Sequence, residues 1–176
     1  MDVIKKMSEQ ILLTNIDLLL NNIALKLIDN DDLMKLLKYD TSDALSRSIS
    51  KEQKYELINQ EGDVTNTRIF YQPFNNKIIT EPRSELRIYY GSFKPDNIYI
   101  TKIYIGVDIV VHSDLWRLDE GVQRPIKIIQ LLLKSLNNQE VGGIGELMFN
   151  VDSPIVLRFF NDSFSGYFFN FKTRLS

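Results

Sequence analysis

The chain of 176 residues is 44% hydrophobic and 25% charged, which is typical of one globular domain with a sizeable core. With a net charge of -2, the chain lacks the strong basic excess through which proteins bind nucleic-acid phosphates or anionic membranes. The absence of cysteine excludes disulfide bonds and thiolate metal sites.

The first part of the chain predicts helices. Apolar residues such as Ile4, Met7 and Ile23 recur at helical spacing through residues 3–28, which predicts one long helix or two. Polar residues interrupt these apolar runs well short of the ~20 residues that span a bilayer, and we expect a soluble protein without a signal peptide. Residues 30–65 are polar and rich in turn-forming residues, so we expect few of them to anchor a core.

The rest of the chain predicts a sheet with one helix. The run Ile98–Val111 has apolar side chains at odd positions and mixed ones at even positions, as in a long strand with one buried face. Gly106 within it predicts a bulge or a close backbone approach, and a bend. Arg124-Pro125 begins an apolar helix that runs to Asn137. Further strands are predicted at 68–72, 78–80, 85–90, 146–151, 154–160 and 166–174.

These patterns predict an α+β protein. An N-terminal helical segment, residues 1–65, precedes a sheet domain, residues 66–176, and we expect the two to form one compact unit.

Two stretches contain residue types found in active sites, but neither has the required arrangement. His112-Ser113-Asp114 has the residue types of a catalytic triad, yet consecutive residues of a strand point to opposite faces. The glycines of 142–145 follow a helix and precede a strand, which is the reverse of a phosphate-binding loop. We therefore interpret the first as the end of a strand and the second as a turn.

Two other classes of function stay open at this stage. Nuclease folds place acidic residues and a lysine on adjacent strands, and Glu81, Glu85, Asp96 and Lys102 are candidates for such a site. A small metal-dependent nuclease using Glu85 and Asp96 is one alternative hypothesis, and a cytoplasmic binding module is another.

The last eighty residues have a recognisable order of motifs. They comprise the strand Ile-Tyr-Ile-Gly-Val-Asp-Ile-Val-Val-His (103–112), Trp116, Arg124-Pro125, a helix ending in Leu136-Asn137-Asn138, Gly143-Ile144-Gly145 before a strand, and a closing Ser165-Gly166-Tyr167-Phe168 strand. This order resembles the tail-terminator (tail-completion, head-to-tail joining) proteins of tailed bacteriophages, particularly neck proteins of phages of low-GC Gram-positive hosts. The segment Tyr39–Leu45 resembles an N-terminal signature of the same group.

The resemblance implies a structural role in the virion. The resemblance implies a mixed, mostly antiparallel sheet with helices packed on it. From the sequence pattern we expect the long strand to be central in this sheet and one helix, about 125–138, to pack on it. The protein would form a ring, usually a hexamer, in the neck at the head–tail junction, and it would be assembled in the host cytoplasm.

Its expected partners are itself, the tail tube protein, the head connector and other neck proteins, and the tail sheath if the tail is contractile. Enzymatic activity, cofactors, metals, membranes and sequence-specific nucleic acid are not expected. Another neck, collar or head-completion ring is the alternative within this class.

A closed ring uses a heterologous interface, in which one patch meets a different patch on the neighbour. The long strand suits such pairing, because an exposed strand edge is a template for another chain. We therefore predict Tyr104, Asp108, His112 and Trp116, along and just beyond this strand, as the residues that contact neighbouring subunits.

Overall fold

The computed structural model describes residues 16, 18–58, 65–73, 81–95, 100–119, 121–142 and 145–175. The helices comprise residues 18–28 (α1), Asp31–Lys38 (α2), Lys51–Glu56 (α3) and Arg124–Leu136 (α4). The strands are Ile69–Phe70 (β1), Ser84–Pro95 (β2), Thr101–His112 (β3), Gln139–Glu140 (β4), Glu146–Phe149 (β5), Val156–Phe159 (β6) and Phe164–Leu175 (β7). The α+β class is confirmed.

The described strands form one sheet in the order β1-β2-β3-β7-β5-β4, and β6 also pairs with β7. The short β1 runs parallel to β2, whereas every other pairing is antiparallel. The long β3 lies between β2 and β7 and pairs with both over its whole length. The predicted mixed, mostly antiparallel sheet with a long central strand is thus confirmed.

One face of β3 forms the centre of the core, as its alternation predicts. The odd-numbered residues of this core face are all at most 1% exposed: Ile103, Ile105, Val107, Ile109 and Val111. The predicted helix is α4, with Pro125 in its first turn, and its apolar side chains belong to the same hydrophobic cluster. Residues of α1 and α2 belong to this cluster too, so α4 is one of several helices in the layer.

The expectation that residues 30–65 hold few core residues is wrong. Leu33, Met34, Leu36 and Leu37 of α2 are fully buried, and Ala44, Leu57 and Ile58 are buried further along the chain. Asn30 caps α2 by accepting a hydrogen bond from the Leu33 amide at 3.1 Å. This cap makes α2 a stable short helix whose apolar side packs near β2 and α4.

Gly106 does mark a close approach, but the bulge lies on the neighbouring strand. The ring of Tyr89 covers Gly106, and a Cβ there would lie 2.7 Å from a ring carbon. The extra residue is Gly91, because β2 shifts its register on β3 between Tyr90 and Ser92, while β3 pairs with β7 without interruption. Of the two alternatives predicted for Gly106, a close approach is found, although a side chain and not backbone makes it, and a bulge in β3 is not found.

Several predicted features lie outside the described residues. These are the part of the first helix before residue 16, the short strand 78–80, and the first residues of the long strand, 98 and 99. None of the described helices is long and apolar enough to cross a membrane.

Candidate functional site

The four predicted contact residues do not form one cluster. Tyr104 and Trp116 are half-buried, whereas Asp108 is 1% exposed and His112 is 8% exposed. Trp116 lies on the core face, where its ring centroid is 6.4 Å from that of Tyr167. The other three lie on the opposite, even face of β3, which carries residues 102 to 112. As subunit contacts all four stay predictions, and the two buried residues present little surface to a neighbour.

His112 packs within the sheet. Its ring contacts Phe164 edge-on, with ring centroids 4.9 Å apart, and its Nδ1 accepts a hydrogen bond from the Asp114 amide at 3.2 Å. Ser113 follows in a short 3₁₀ turn. The imidazole is therefore held as a cap of this turn and does not form the chain of contacts of a catalytic triad.

Asp108 connects three strands through a buried ionic network. Tyr89 of β2 donates its hydroxyl to Asp108 Oδ2 at 2.7 Å, and Arg158 of β6 donates from Nη1 to Oδ1 at 2.9 Å. The Arg158 guanidinium lies over the Phe168 ring, with Cζ 3.7 Å from the ring centroid. Burial, helped by the hydrogen bond to Asp108, raises the pKa of Tyr89 to about 12. Asp108 thus fixes the edge strand β6 against the centre of the sheet.

A second ionic network lies on β2. Arg83 Nε donates to Glu85 Oε1 at 2.8 Å, and Arg87 Nη2 donates to Glu85 Oε2 at 2.8 Å. The Glu85 side chain is 2% exposed, and burial lowers the pKa of Arg83 while Glu85 opposes this shift. The Arg87 guanidinium lies 5.3 Å from the centroid of the Phe160 ring, which follows β6. This network also ties the β6–β7 hairpin to β2.

The Glu85 network bears on the nuclease hypothesis. Two guanidinium groups occupy both carboxylate oxygens of Glu85, which leaves this side chain unsuited to bind a metal ion. Glu81 is exposed, and Asp96 lies outside the described residues. Within the described residues, no three acidic or histidine side chains are grouped so that they could hold a metal.

The sequence contains a signal for this network that our reading missed. Arg83, Glu85 and Arg87 alternate in charge at the two-residue spacing of one strand face. Such alternation predicts ion pairing along the strand. Arg158 and Phe160 cover this face in the folded protein. The sequence could not predict this contact, because the two residues lie in a hairpin some seventy residues further along the chain.

The most exposed apolar surface of the described chain lies on β6 and the loop before it. Phe159 is 79% exposed and Val151 is 78% exposed, and between them the large apolar side chains of Ile155, Val156 and Leu157 are each 40–45% exposed. Among the described strands β6 pairs only with β7, so its outer backbone edge has no partner there. We refer to residues 151–159 as the edge segment. Our sequence reading predicted a strand here but not its exposure.

Arg124 joins the two segments that carry the sequence resemblance. Its side chain is fully buried, and its guanidinium donates to the carbonyl oxygens of Leu115 at 3.0 Å, Leu36 at 2.8 Å and Tyr39 at 3.0 Å, and also to that of Thr41. Burial lowers the pKa of Arg124, while nearby Asp40 opposes this shift. The signature around Tyr39 and the Arg-Pro at α4 are therefore parts of one structural contact.

A family model described as YomW matches residues 30–173. The chain belongs to the YomW family. This family is of the phage-derived, Bacillus prophage type, and the chain is accordingly a phage-related protein. No curated protein matches the chain. The narrower role of tail terminator stays a prediction.

The YomW match runs from just before α2 through most of β7. It therefore includes both ionic networks, the edge segment and the carbonyl cluster around Arg124. Of the described helices, α1 precedes the matched region.

Proposed function

We propose that this YomW-family protein is a structural protein of the phage neck, which assembles as a ring, caps the tail tube and joins the tail to the head connector. The observation that carries the proposal is the edge segment, whose strand combines exposed apolar side chains with an outer edge that no other described strand pairs. Membership of a phage-derived family and the resemblance to tail terminators support the same role.

An edge strand of this kind favours association with another protein chain. Its free amide and carbonyl groups can add a strand from a neighbour, and its side chains can bury apolar surface in the same contact. Fully burying one large apolar side chain contributes ~1.5–3 kcal/mol, and Phe159 and Val151 are each nearly four-fifths exposed. In a closed ring the edge segment would contact a different patch of the next subunit.

The ionic network of Asp108 supports this role by fixing the edge. Arg158 lies on β6 between Leu157 and Phe159, and its bond to Asp108 crosses β7 to the central strand. Alternation along β6 then presents neighbouring side chains to opposite sides of the strand. A fixed edge loses less conformational entropy on pairing than a mobile one, which favours a specific interface.

The proposal is tested by the mass of the purified protein in solution, alone and mixed with isolated tail tubes. We expect a ring that binds tubes, and we expect Phe159→Asp to lower the mass to that of a monomer by placing a charge in the interface. Val122→Asp is the matched control, because Val122 is also exposed but lies in the loop before α4.

A strict monomer that neither forms rings nor binds tubes would contradict the proposal. A ring that binds head connectors but not tail tubes would instead support a head-completion or collar protein. Equal masses for wild type and Phe159→Asp would show that the ring uses another surface.

A further inference from the structure

A second exposed strand edge lies on the other side of the sheet from the edge segment. β2 pairs with β1 at Leu86 and Arg87, and beyond Arg87 no other described strand pairs with the outer side of β2. Residues 91–94 are all exposed, and Phe93 among them is 48% exposed. We refer to residues 91–94 as the β2 edge. β6 and the β2 edge thus lie on opposite sides of the central pair β3 and β7.

The exposed apolar side chains of the two edges lie on the same face of the sheet. Directly opposite residues of antiparallel strands point to the same face. Phe93 is opposite Ile103, which belongs to the core face. Leu157 of β6 is opposite Tyr167 of β7, and Tyr167 is opposite Ile109 of the core face. Pairing of the two edges would therefore continue this apolar face from one subunit into the next.

The directions of the strands also fit the two edges together. β2, β3, β7 and β6 lie side by side in this order, and each runs antiparallel to its neighbour. β6 therefore runs in the opposite direction to β2. Rotation about a ring axis keeps the sense of each strand along that axis, so the β2 of the next subunit would meet β6 in an antiparallel pair.

The two edges lie at different levels along the strands, which determines how the subunits would be inclined. Leu157 is level with Ile109 and Phe93 with Ile103, six residues apart on β3, or ~20 Å at ~3.3 Å per residue. The four strand spacings from one β2 to the next add up to ~19 Å. Leu157 thus meets Phe93 of the next subunit when the strands are inclined by ~45° to the ring axis, close to the ~35–45° of closed barrels.

We infer that neighbouring subunits of the ring are joined by antiparallel pairing of β6 with the β2 edge of the next copy of this chain. The inference rests on the proposed function, since it names the second surface of the ring interface. In this pairing Leu157 and Phe159 of one subunit pack near Phe93 of the next, and all three side chains lose exposed apolar area.

A second copy fits these edges better than another arrangement because one contact covers both of them. A two-fold contact between two β6 strands would leave both β2 edges exposed, and exposed strand edges are prone to unwanted pairing. A heterologous contact repeated around a ring covers both edges of every subunit. Arg158, which would lie near Lys94 of the next subunit, already has a carboxylate partner in Asp108 at 2.9 Å.

Chemical cross-linking between copies tests this pairing, because the chain contains no cysteine. Val156→Cys on β6 and Ser92→Cys on the β2 edge each place one thiol on the even face and leave Phe159 and Phe93 intact. The two variants are co-expressed and treated with a short bis-maleimide reagent, which does not require the strict geometry of a disulfide bond. We expect a covalent dimer that contains one chain of each variant. The double variant should give a ladder of linked chains up to the whole ring.

Val122→Cys combined with Ser92→Cys is the matched control, because Val122 is also exposed but lies in the loop before α4. We expect this pair to stay monomeric on a denaturing gel. A cross-linked dimer from Val156→Cys alone would show that two β6 strands pair with each other, and it would overturn the inference. Rings of wild-type mass without the mixed cross-link would overturn it too and leave the proposed function standing. A chain that forms no rings would refute both.

Substitution of Phe93 gives an independent measurement. Phe93→Asp is expected to lower the mass to that of a monomer, as Phe159→Asp does, because it places a carboxylate without a partner in a buried contact. Thermal melting followed by circular dichroism checks that the variant is folded, and Val122→Asp again serves as the control. Rings of wild-type mass in Phe93→Asp would show that the β2 edge is not the surface that receives β6.

Discussion

Replacement of Arg124 tests whether one buried side chain holds the N-terminal helices on the sheet. Arg124→Met keeps most of the aliphatic volume and removes the guanidinium that donates to four backbone carbonyl groups. These carbonyls belong to α2, to the segment after it and to the turn that follows β3. The substitution therefore removes the polar link between two regions of the chain that are more than eighty residues apart.

The loss of stability follows from the burial of these carbonyl groups. A buried acceptor left without a partner costs ~1–3 kcal/mol. The bonds to Leu115 and Leu36 are buried and those to Tyr39 and Thr41 are partly buried, so water can partly replace the latter two. We therefore expect about 4 kcal/mol of destabilisation, which corresponds to a decrease in Tm of roughly 10–15 °C for a protein of this size.

Urea denaturation and thermal melting measure this change. Arg47→Met is the matched control, because Arg47 is an exposed arginine whose ion pair with the exposed Asp43 contributes little to stability. A loss below about 1 kcal/mol in Arg124→Met would refute the reasoning, since it would mean that relief from burying the charge offsets the lost hydrogen bonds. Arg124→Lys should fall between the two, because an ammonium group cannot reach all four carbonyls.

Two further predictions concern the contacts of β3 with its neighbours: the packing of β7 at Gly166 and the hydrogen bond between Asp108 and Tyr89. Gly166→Ala should abolish folding or lower the free energy of unfolding by more than about 3 kcal/mol in urea denaturation, because its Cβ would lie 1.8 Å from the Ile109 carbonyl oxygen. Gly91→Ala is the control and should cost less, because the nearest atom to its Cβ is 3.3 Å away. Equal losses in the two variants would contradict the close packing of β7 on β3. Asp108→Asn should lower the pKa of Tyr89 from about 12 towards its ordinary value of 10.0, because removal of a negative charge favours the phenolate, while burial keeps it partly raised. Ultraviolet titration of tyrosinate measures the pKa of Tyr89. Tyr71 is the internal control, since burial alone raises the pKa of Tyr71 to about 12. An unchanged titration of both phenols would mean that Asp108 does not act on Tyr89.

The central strand and the main helix could be predicted because their patterns are local. Alternating apolar residues of β3 and the Arg124-Pro125 start of α4 each determine an element from a few neighbours along the chain. Burial of the short helix α2 was missed because its apolar side is small and the residues after it are polar. What decides its burial is packing against β2 and α4, which are distant in sequence.

The candidate site was harder to predict because it depends on contacts between distant segments. Tyr104 and Asp108 were both predicted as subunit contacts on the even face. Tyr104 lines a cleft, whereas Asp108 is 1% exposed and bonded to Arg158. Only the pairing of β6 with β7 brings Arg158 across the central strand. The exposure of Phe159 follows from the same pairing, since β6 lies at the edge of the sheet.

The place of β7 in the sheet has a consequence for how the protein is made. This strand follows all the other described strands along the chain, yet it lies between β3 and the pair β5 and β6. Until β7 is synthesised, β3 lacks this neighbour along all twelve of its residues, and the buried side chains that β7 adds to the core, Phe169 and Phe171, are missing. A nascent or truncated chain therefore exposes a long apolar strand that can pair with other chains, so we expect it to depend on chaperones until β7 takes its place.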